Sequence, residues 1–142
     1  NRYWERGVWR DALPYAETQS RYEQLFAMLE GNTLAGVNPR FDAAMICRGR
    51  AVALVQLGMR RDAGTLIVPA ETWRYRLTDL SAYACGVLGD DPAEPHGLSA
   101  ICAQLGIDLP DSDAHTALGD ARATAECFRR LKQMKESPDG VH

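Results

Sequence analysis

His115 and Asp120 stand five positions apart in the segment HTALGDARATAECFRRLKQ, where an Ala-rich amphipathic pattern begins. That places an imidazole able to titrate near neutrality ahead of a carboxylate that stays charged. Such a pair is the raw material of general-base and metal-assisted hydrolysis. Ala117, Leu118, Ala121, Ala125, Phe128 and Leu131 recur at helical spacing and predict one apolar stripe. Asp120 then falls in the opening turns of a helix, off the stripe, with His115 on the loop leading into it. A plainer use competes: an acid at a helix start is favoured by the macrodipole, and a loop histidine needs no chemistry.

A second segment, GNTLAGVNPRFDAAMI, tips the balance. Thr33 to Val37 is a short apolar run that reads as a buried strand, and Asn38–Pro39 breaks it. Phe41, Ala44, Cys47, Ala51, Leu54 and Leu57 then predict the apolar stripe of a long helix. Asp42 therefore stands at a strand-to-helix junction, at the carboxyl end of a sheet strand, where open α/β sheets bind their ligands. An N-cap aspartate is the competing use.

Together the motifs Asn38-Pro39-Arg40-Phe41-Asp42 and His115-x-x-x-x-Asp120 resemble, in order and in context, the DEDDh family of 3′–5′ exonucleases. That family includes the proofreading subunit of bacterial replicative polymerase, oligoribonuclease and RNase T. The run ALGDARATA is similar to the continuation of the family's last motif, and the resemblance covers roughly residues 20 to 135. It implies an α/β, RNase H-like fold and a metal-dependent enzyme that releases nucleotides from a single-stranded 3′ end. By that resemblance Asp42 and Asp120 are metal ligands of two Mg²⁺ or Mn²⁺ ions, and His115 is the general base. Phe41 is expected in the helix core, with packing beside a terminal base as its alternative. Asn38 is expected to be a turn residue, with substrate contact a weaker alternative.

The chain departs from the family at its first motif, an Asp-x-Glu on the opening strand, which occurs nowhere before Asp42. Glu5, Asp11 and Glu17 lie in that stretch without a β-rich run around them, so the three antiparallel strands that open the family's fold are also missing. The expectation is a single exonuclease-like domain over residues 1–142, N-terminally incomplete, the C-terminal portion of a longer protein, seen mainly as helices and two strands. An isolated pair of strands should leave an unpaired edge beside Thr33–Val37. The departure also sustains a second functional class, a catalytically inactive nucleic-acid- or protein-binding module on a decayed exonuclease fold.

Composition bounds these readings. A chain of 142 residues can bury one reasonable core, and 46% apolar with 25% charged residues is ordinary for a globular protein. No long apolar run or signal-peptide pattern occurs, which points away from membrane and toward the cytoplasm. Cys47, Cys85, Cys102 and Cys127 are widely spaced and read as reduced core thiols. A net charge of −3 argues against a long nucleic-acid footprint. Clusters at Arg40, Arg48 and Arg50, at Arg60 and Arg61, and at Arg122, Arg129, Arg130, Lys132 and Lys135 soften that objection, with a solvated face as the alternative. The partners this reading allows are a DNA or RNA 3′ end, polymerase or other replication and repair proteins, and a second copy of the chain.

The remaining elements must position these residues. Thr18 or Ser20 is expected to cap a helix ended by Gly31, and Gly58 to end the helix that follows Asp42. Trp73, Tyr75 and Leu77 alternate with arginines and predict a half-exposed strand running to about Leu80, with Asp79 capping the next helix. Gly89–Pro95 predicts a surface loop, Gly97–Leu105 a short helix, and the tail from Glu136 to His142 a flexible end.

Overall fold

The computed structural model describes residue 10 and residues 12–58, 70–108 and 116–136. His115, Arg60, Arg61, Glu5, Asp11 and the tail beyond Glu136 lie outside the described residues. The described chain is mostly helical with one small sheet: α1 (Tyr15–Leu29), β1 (Ala35–Gly36), α2 (Pro39–Gln56), β2 (Thr78–Asp79), α3 (Leu80–Leu88), α4 (Leu98–Gln104) and α5 (Ala117–Glu136). It divides into two compact units, one drawn from Asn1–Asn32 and Ala43–Tyr75, the other from Thr33–Asp42 and Arg76–His142.

In the first unit α1 begins earlier than its polar residues suggest. Pro14 precedes the helix without a side-chain cap, and the Thr18 hydroxyl donates back to the Leu13 carbonyl at 3.2 Å. Thr18 thus lies inside the first turn, because proline's fixed φ already suits a helix start and no hydroxyl acceptor is needed. At the other end Gly31 takes φ +66° and stops the helix as expected. The Asn32 side chain then donates to the Met28 carbonyl at 2.8 Å, satisfying one of the last-turn acceptors.

Of the segment expected to be a strand up to Leu80, Thr78–Asp79 forms β2, whereas its start around Trp73 is zipped to the end of α1. Gly31 N–H donates to the Thr72 carbonyl (3.1 Å), Arg74 N–H to the Asn32 carbonyl (2.8 Å), and the Thr72 hydroxyl to the Phe26 carbonyl (3.1 Å). Trp73 is buried and its ring meets Phe26 at 5.6 Å between centroids, whereas Tyr75 is exposed. Alternation was real here, but its hydrogen bonds go to a helix terminus rather than to a strand. Arg50 of α2 lies 4.2 Å over the Phe26 ring and grips Glu23 through two bonds of 2.9 and 2.7 Å, so a cation, an aromatic face and a carboxylate share one corner.

The second unit is built from α3, α4 and α5. Leu80, Ala84, Ile101, Cys102, Ala123, Cys127 and Leu131 form its core, with Val37, Tyr83 and Phe128 packed against it. β1 and β2 pair in parallel, Ala35 opposite Thr78 and Gly36 opposite Asp79. The strand expected over Thr33–Val37 is thus two residues long, and among the described residues each strand has one neighbour. Asp79 caps α3 as expected, its Oδ1 accepting from Ser81 N–H at 2.8 Å and Ala82 N–H at 3.3 Å. α4 also falls where Gly97 and Leu105 bracket it.

Two apolar stripes differ from the expected ones. On α5 the buried line is Gly119, Ala123, Cys127 and Leu131, while Ala117, Leu118, Ala121 and Ala125 are exposed. On α2 the expected Cys47 and Ala51 are buried, joined by Ala43 and Ala53, while Phe41 and Ala44 are exposed. In both helices alanines recur so densely that several rotations give an equally apolar face, and the larger residues elsewhere in the core select among them. All four cysteines are buried thiols. Burial, and next the Cys102 thiol 3.6 Å away, push the Cys127 thiol up to about 12.

The corrected stripe carries an expectation for stability. Leu131→Ala should cost about 2–5 kcal/mol by cavity formation. Leu118→Ala, at a position 60% exposed, should stay within about 0.5 kcal/mol of the parent. Urea denaturation of the two variants checks the assignment, and equal losses would contradict it.

Candidate active site

The Asp42 carboxylate is delivered by a tight sequence of local choices. β1 ends at Gly36, and after Val37 the chain is turned by Asn38 with φ +54°. Asparagine tolerates this left-handed backbone better than other residues with a side chain. Its carbonyl accepts from Phe41 N–H at 3.0 Å, and buried Pro39 occupies the first helical position of α2. Asp42 is consequently a first-turn acid one turn past the strand end, rather than the residue that caps the helix.

The carboxylate leans back over the strand it follows. A Cβ built on Gly36 would lie 3.5 Å from Asp42 Oδ2. That is ordinary van der Waals distance, so Gly36 marks where the carboxylate lies against the strand, and a Cβ there would touch it without displacing it. Asp42 keeps solvent contact, yet the shielding of its carboxyl raises its pKa above the ordinary carboxylate value, opposed by a hydrogen bond to its own backbone amide. Asp79 completes the arrangement from β2: its Oδ2 accepts the Asn38 N–H at 3.2 Å, across 41 positions of sequence.

Asp120 opens α5, with its amide donating to the Thr116 carbonyl at 2.9 Å. The Thr116 hydroxyl accepts from Gly119 N–H at 3.0 Å and caps the helix, so Asp120 is not the cap. Asp42 and Asp120 both belong to the unit built from Thr33–Asp42 and Arg76–His142. His115 precedes Thr116 but lies outside the described residues. Phe41 is 61% exposed, which corrects its expected core role and leaves its ring available at the surface beside the Asn38 turn.

The basic clusters are largely employed in the protein's own ion pairs. Arg50 is held by Glu23, Arg129 and Arg130 by Glu126, and Lys132 stands 3.7 Å from Glu136. Arg129 first and Arg130 second hold the Glu126 carboxyl at about 2. Arg130 also donates to the carbonyls of Leu105 (2.6 Å) and Gly106 (3.2 Å), closing the end of α4. These residues serve the helices first, so their number in the sequence overstates the positive surface.

For a hard divalent cation the described residues fit in kind but not in number. Asp42 and Asp120 offer the oxygen donors such ions prefer. Among the described residues no group of three or more His, Cys, Asp or Glu side chains is arranged to hold a metal ion. No described helix is long and apolar enough to cross a membrane. Sequence reasoning found Asp42 and the Asn38 turn but missed Gly36 and Asp79. A lone glycine inside a strand pattern was the available signal for the first; the long-range bond of Asp79 leaves no local trace.

Comparison with known proteins adds one short match. Over 39 residues, 28% of this chain, it is 56% identical to a DNA polymerase III subunit epsilon-like protein of Rhodobacter capsulatus. The match spans 6% of that relative's length. No family model matches the chain, and no solved structure matches it.

The Asp42 environment has a consequence for stability. A carboxyl whose folded pKa is raised favours the fold while protonated, and that contribution is lost as pH rises through the folded pKa. At pH 7 Asp42→Asn should therefore melt no lower than the parent, and the two curves should converge as pH falls through the carboxylate range. Thermal melts from pH 3 to pH 7 check this; a variant clearly less stable at pH 7 would contradict it.

Proposed function

We infer that this chain carries part of the catalytic domain of a 3′–5′ exonuclease of the DEDDh type, with the RNase H-like arrangement that type implies. The observation that supports the reading most is the placement of Asp42. The Asn38 turn sets it at the carboxyl end of a parallel strand, with its carboxylate against Gly36. The unit that holds it also holds Asp120 at the start of α5. The short match to an epsilon-like protein agrees in direction.

In this reading Asp42 and Asp120 would hold divalent ions, Mg²⁺ or Mn²⁺, through the oxygen donors such ions prefer. The ions supply charge neutralisation at the attacking and leaving oxygens of the phosphodiester. His115 takes the proton of the attacking water, its ordinary pKa suiting that task near neutrality. Phe41, exposed beside the turn, offers a face for stacking of the terminal base. The substrate is a single-stranded DNA or RNA 3′ end, and a polymerase or other replication protein is the partner such an enzyme would serve. The second reading, a binding module without catalysis, rests on the sequence, which carries no Asp-x-Glu before Asp42.

The full-length gene product separates the two. Asp120→Asn should abolish Mg²⁺- or Mn²⁺-dependent release of 3′ nucleotides with thermal stability nearly unchanged, since the amide keeps shape but not charge. His115→Ala should lower turnover by about 10²–10⁴-fold with single-strand binding retained. Full activity in both variants, or strand binding by the parent without metal-dependent release, would overturn the enzymatic assignment.

A further inference from the structure

Asp79 lies outside both motifs, yet its carboxylate accepts three backbone amides at once. Oδ1 takes Ser81 N–H and Ala82 N–H at the start of α3, and Oδ2 takes Asn38 N–H at 3.2 Å. Asn38 is the one described residue with a side chain that holds positive φ. A positive φ brings the Cβ of an L-residue into steric conflict with the backbone, which asparagine escapes only in part. A conformation opposed in this way persists only where its surroundings over-determine it. Two contacts do so: the Asp79 oxygen on the Asn38 amide, and the Phe41 amide on the Asn38 carbonyl at 3.0 Å.

We propose that Asp79 is a positioning residue for the Asp42 carboxylate, locking the Asn38 turn from which α2 and Asp42 are launched. The inference rests on the exonuclease reading for the role of Asp42. The mechanical path is short. Leu80, the first residue of α3, is fully buried in the core of the unit, so the cap it follows is anchored. Asp79 pairs in register with Gly36, the residue over which the Asp42 carboxylate leans. Core, cap, turn and carboxylate form one closed chain of contacts, and Asp79 is its only link between α3 and the turn that the described hydrogen bonds supply. Supporting residues behind a metal-binding carboxylate act on affinity and turnover rather than on bond chemistry.

Two variants of the full-length protein test this. Asp79→Ser keeps a capping hydroxyl for α3 but is too short to reach Asn38. Asp79→Asn keeps one acceptor oxygen and replaces the other with a donor that cannot accept the Asn38 amide. Hydrogen exchange followed by mass spectrometry should show the peptide containing residues 38–42 exchanging about tenfold faster in both variants, with the α3 peptide still protected. The Mn²⁺ concentration giving half-maximal nucleotide release should rise about 10–100-fold, with turnover at saturating Mn²⁺ reduced less. Asp42→Asn is measured alongside. If it is inactive while both Asp79 variants keep the parent's exchange rate and Mn²⁺ midpoint, the positioning role is overturned and the exonuclease reading stands. If the parent releases no nucleotide, that reading fails, and the exchange rate of residues 38–42 alone decides for or against the lock.

Discussion

A two-residue parallel ladder cannot hold its own register, and the second unit depends on how that weakness is repaired. Between Ala35–Gly36 and Thr78–Asp79 the backbone offers few hydrogen bonds, and parallel pairs are slightly weaker per residue than antiparallel ones. The Asp79 side chain supplies what the backbone lacks. By capping α3 with one oxygen and binding the Asn38 amide with the other, it ties the end of β1 to a helix whose first residue is fully buried. The strand pair is thereby fastened to the α3–α4–α5 core instead of to a wider sheet.

Much of this was legible in the sequence, and the failures share a physical cause. The Asn38–Pro39 break, the Asp79 cap, the glycine stop at Gly31 and the short helix after Gly97 are all local: each depends on the backbone preferences of two or three adjacent residues. The cap of α5 was not anticipated: it is Thr116, whose hydroxyl accepts the Gly119 amide. What failed were assignments that depend on neighbours far away in sequence. Periodicity placed Cys47, Ala51 and Leu131 inward, but among small residues it chose wrongly: Ala43, Gly119 and Ala123 are buried while Ala44, Ala121 and Ala125 are exposed. The Trp73–Leu77 alternation was not a strand, because the acceptors and donors that segment meets belong to the end of α1. For the candidate site, Asp42 and its turn were visible as a motif, whereas Gly36 and Asp79 gain their meaning only when β1 and β2 lie side by side.

Charge shows the same division between what composition counts and what structure uses. Arg50, Arg129 and Arg130 were readable as a basic surface, but each is committed to a carboxylate, a ring face or the carbonyls at a helix end. Arg130 is the clearest case, bridging Glu126 and the last turn of α4, so its removal would loosen packing as well as alter charge. A nucleic-acid partner of this chain cannot be inferred from cation number. It has to be argued from the acids, whose positions are the more specific feature.

Two of those acids make the contrast plain. Glu126 sits between Arg129 and Arg130, and their hydrogen bonds hold its carboxyl at about 2. It is a carboxylate whose charge the protein itself has neutralised, which is the mark of a structural ion pair. Asp42 moves in the opposite direction: shielding raises its pKa, and the hydrogen bond that opposes the rise is from its own amide rather than from a cation. Folding therefore places a carboxylate where its charge is disfavoured, against the strand at Gly36. A cation bound there would reverse the sign of that shift, because an opposite charge within a few ångströms favours the ionised form. That opposition between Glu126, neutralised by its own arginines, and Asp42, raised by shielding with no cation among its causes, is the electrostatic ground for proposing Asp42 rather than Glu126 as a metal ligand.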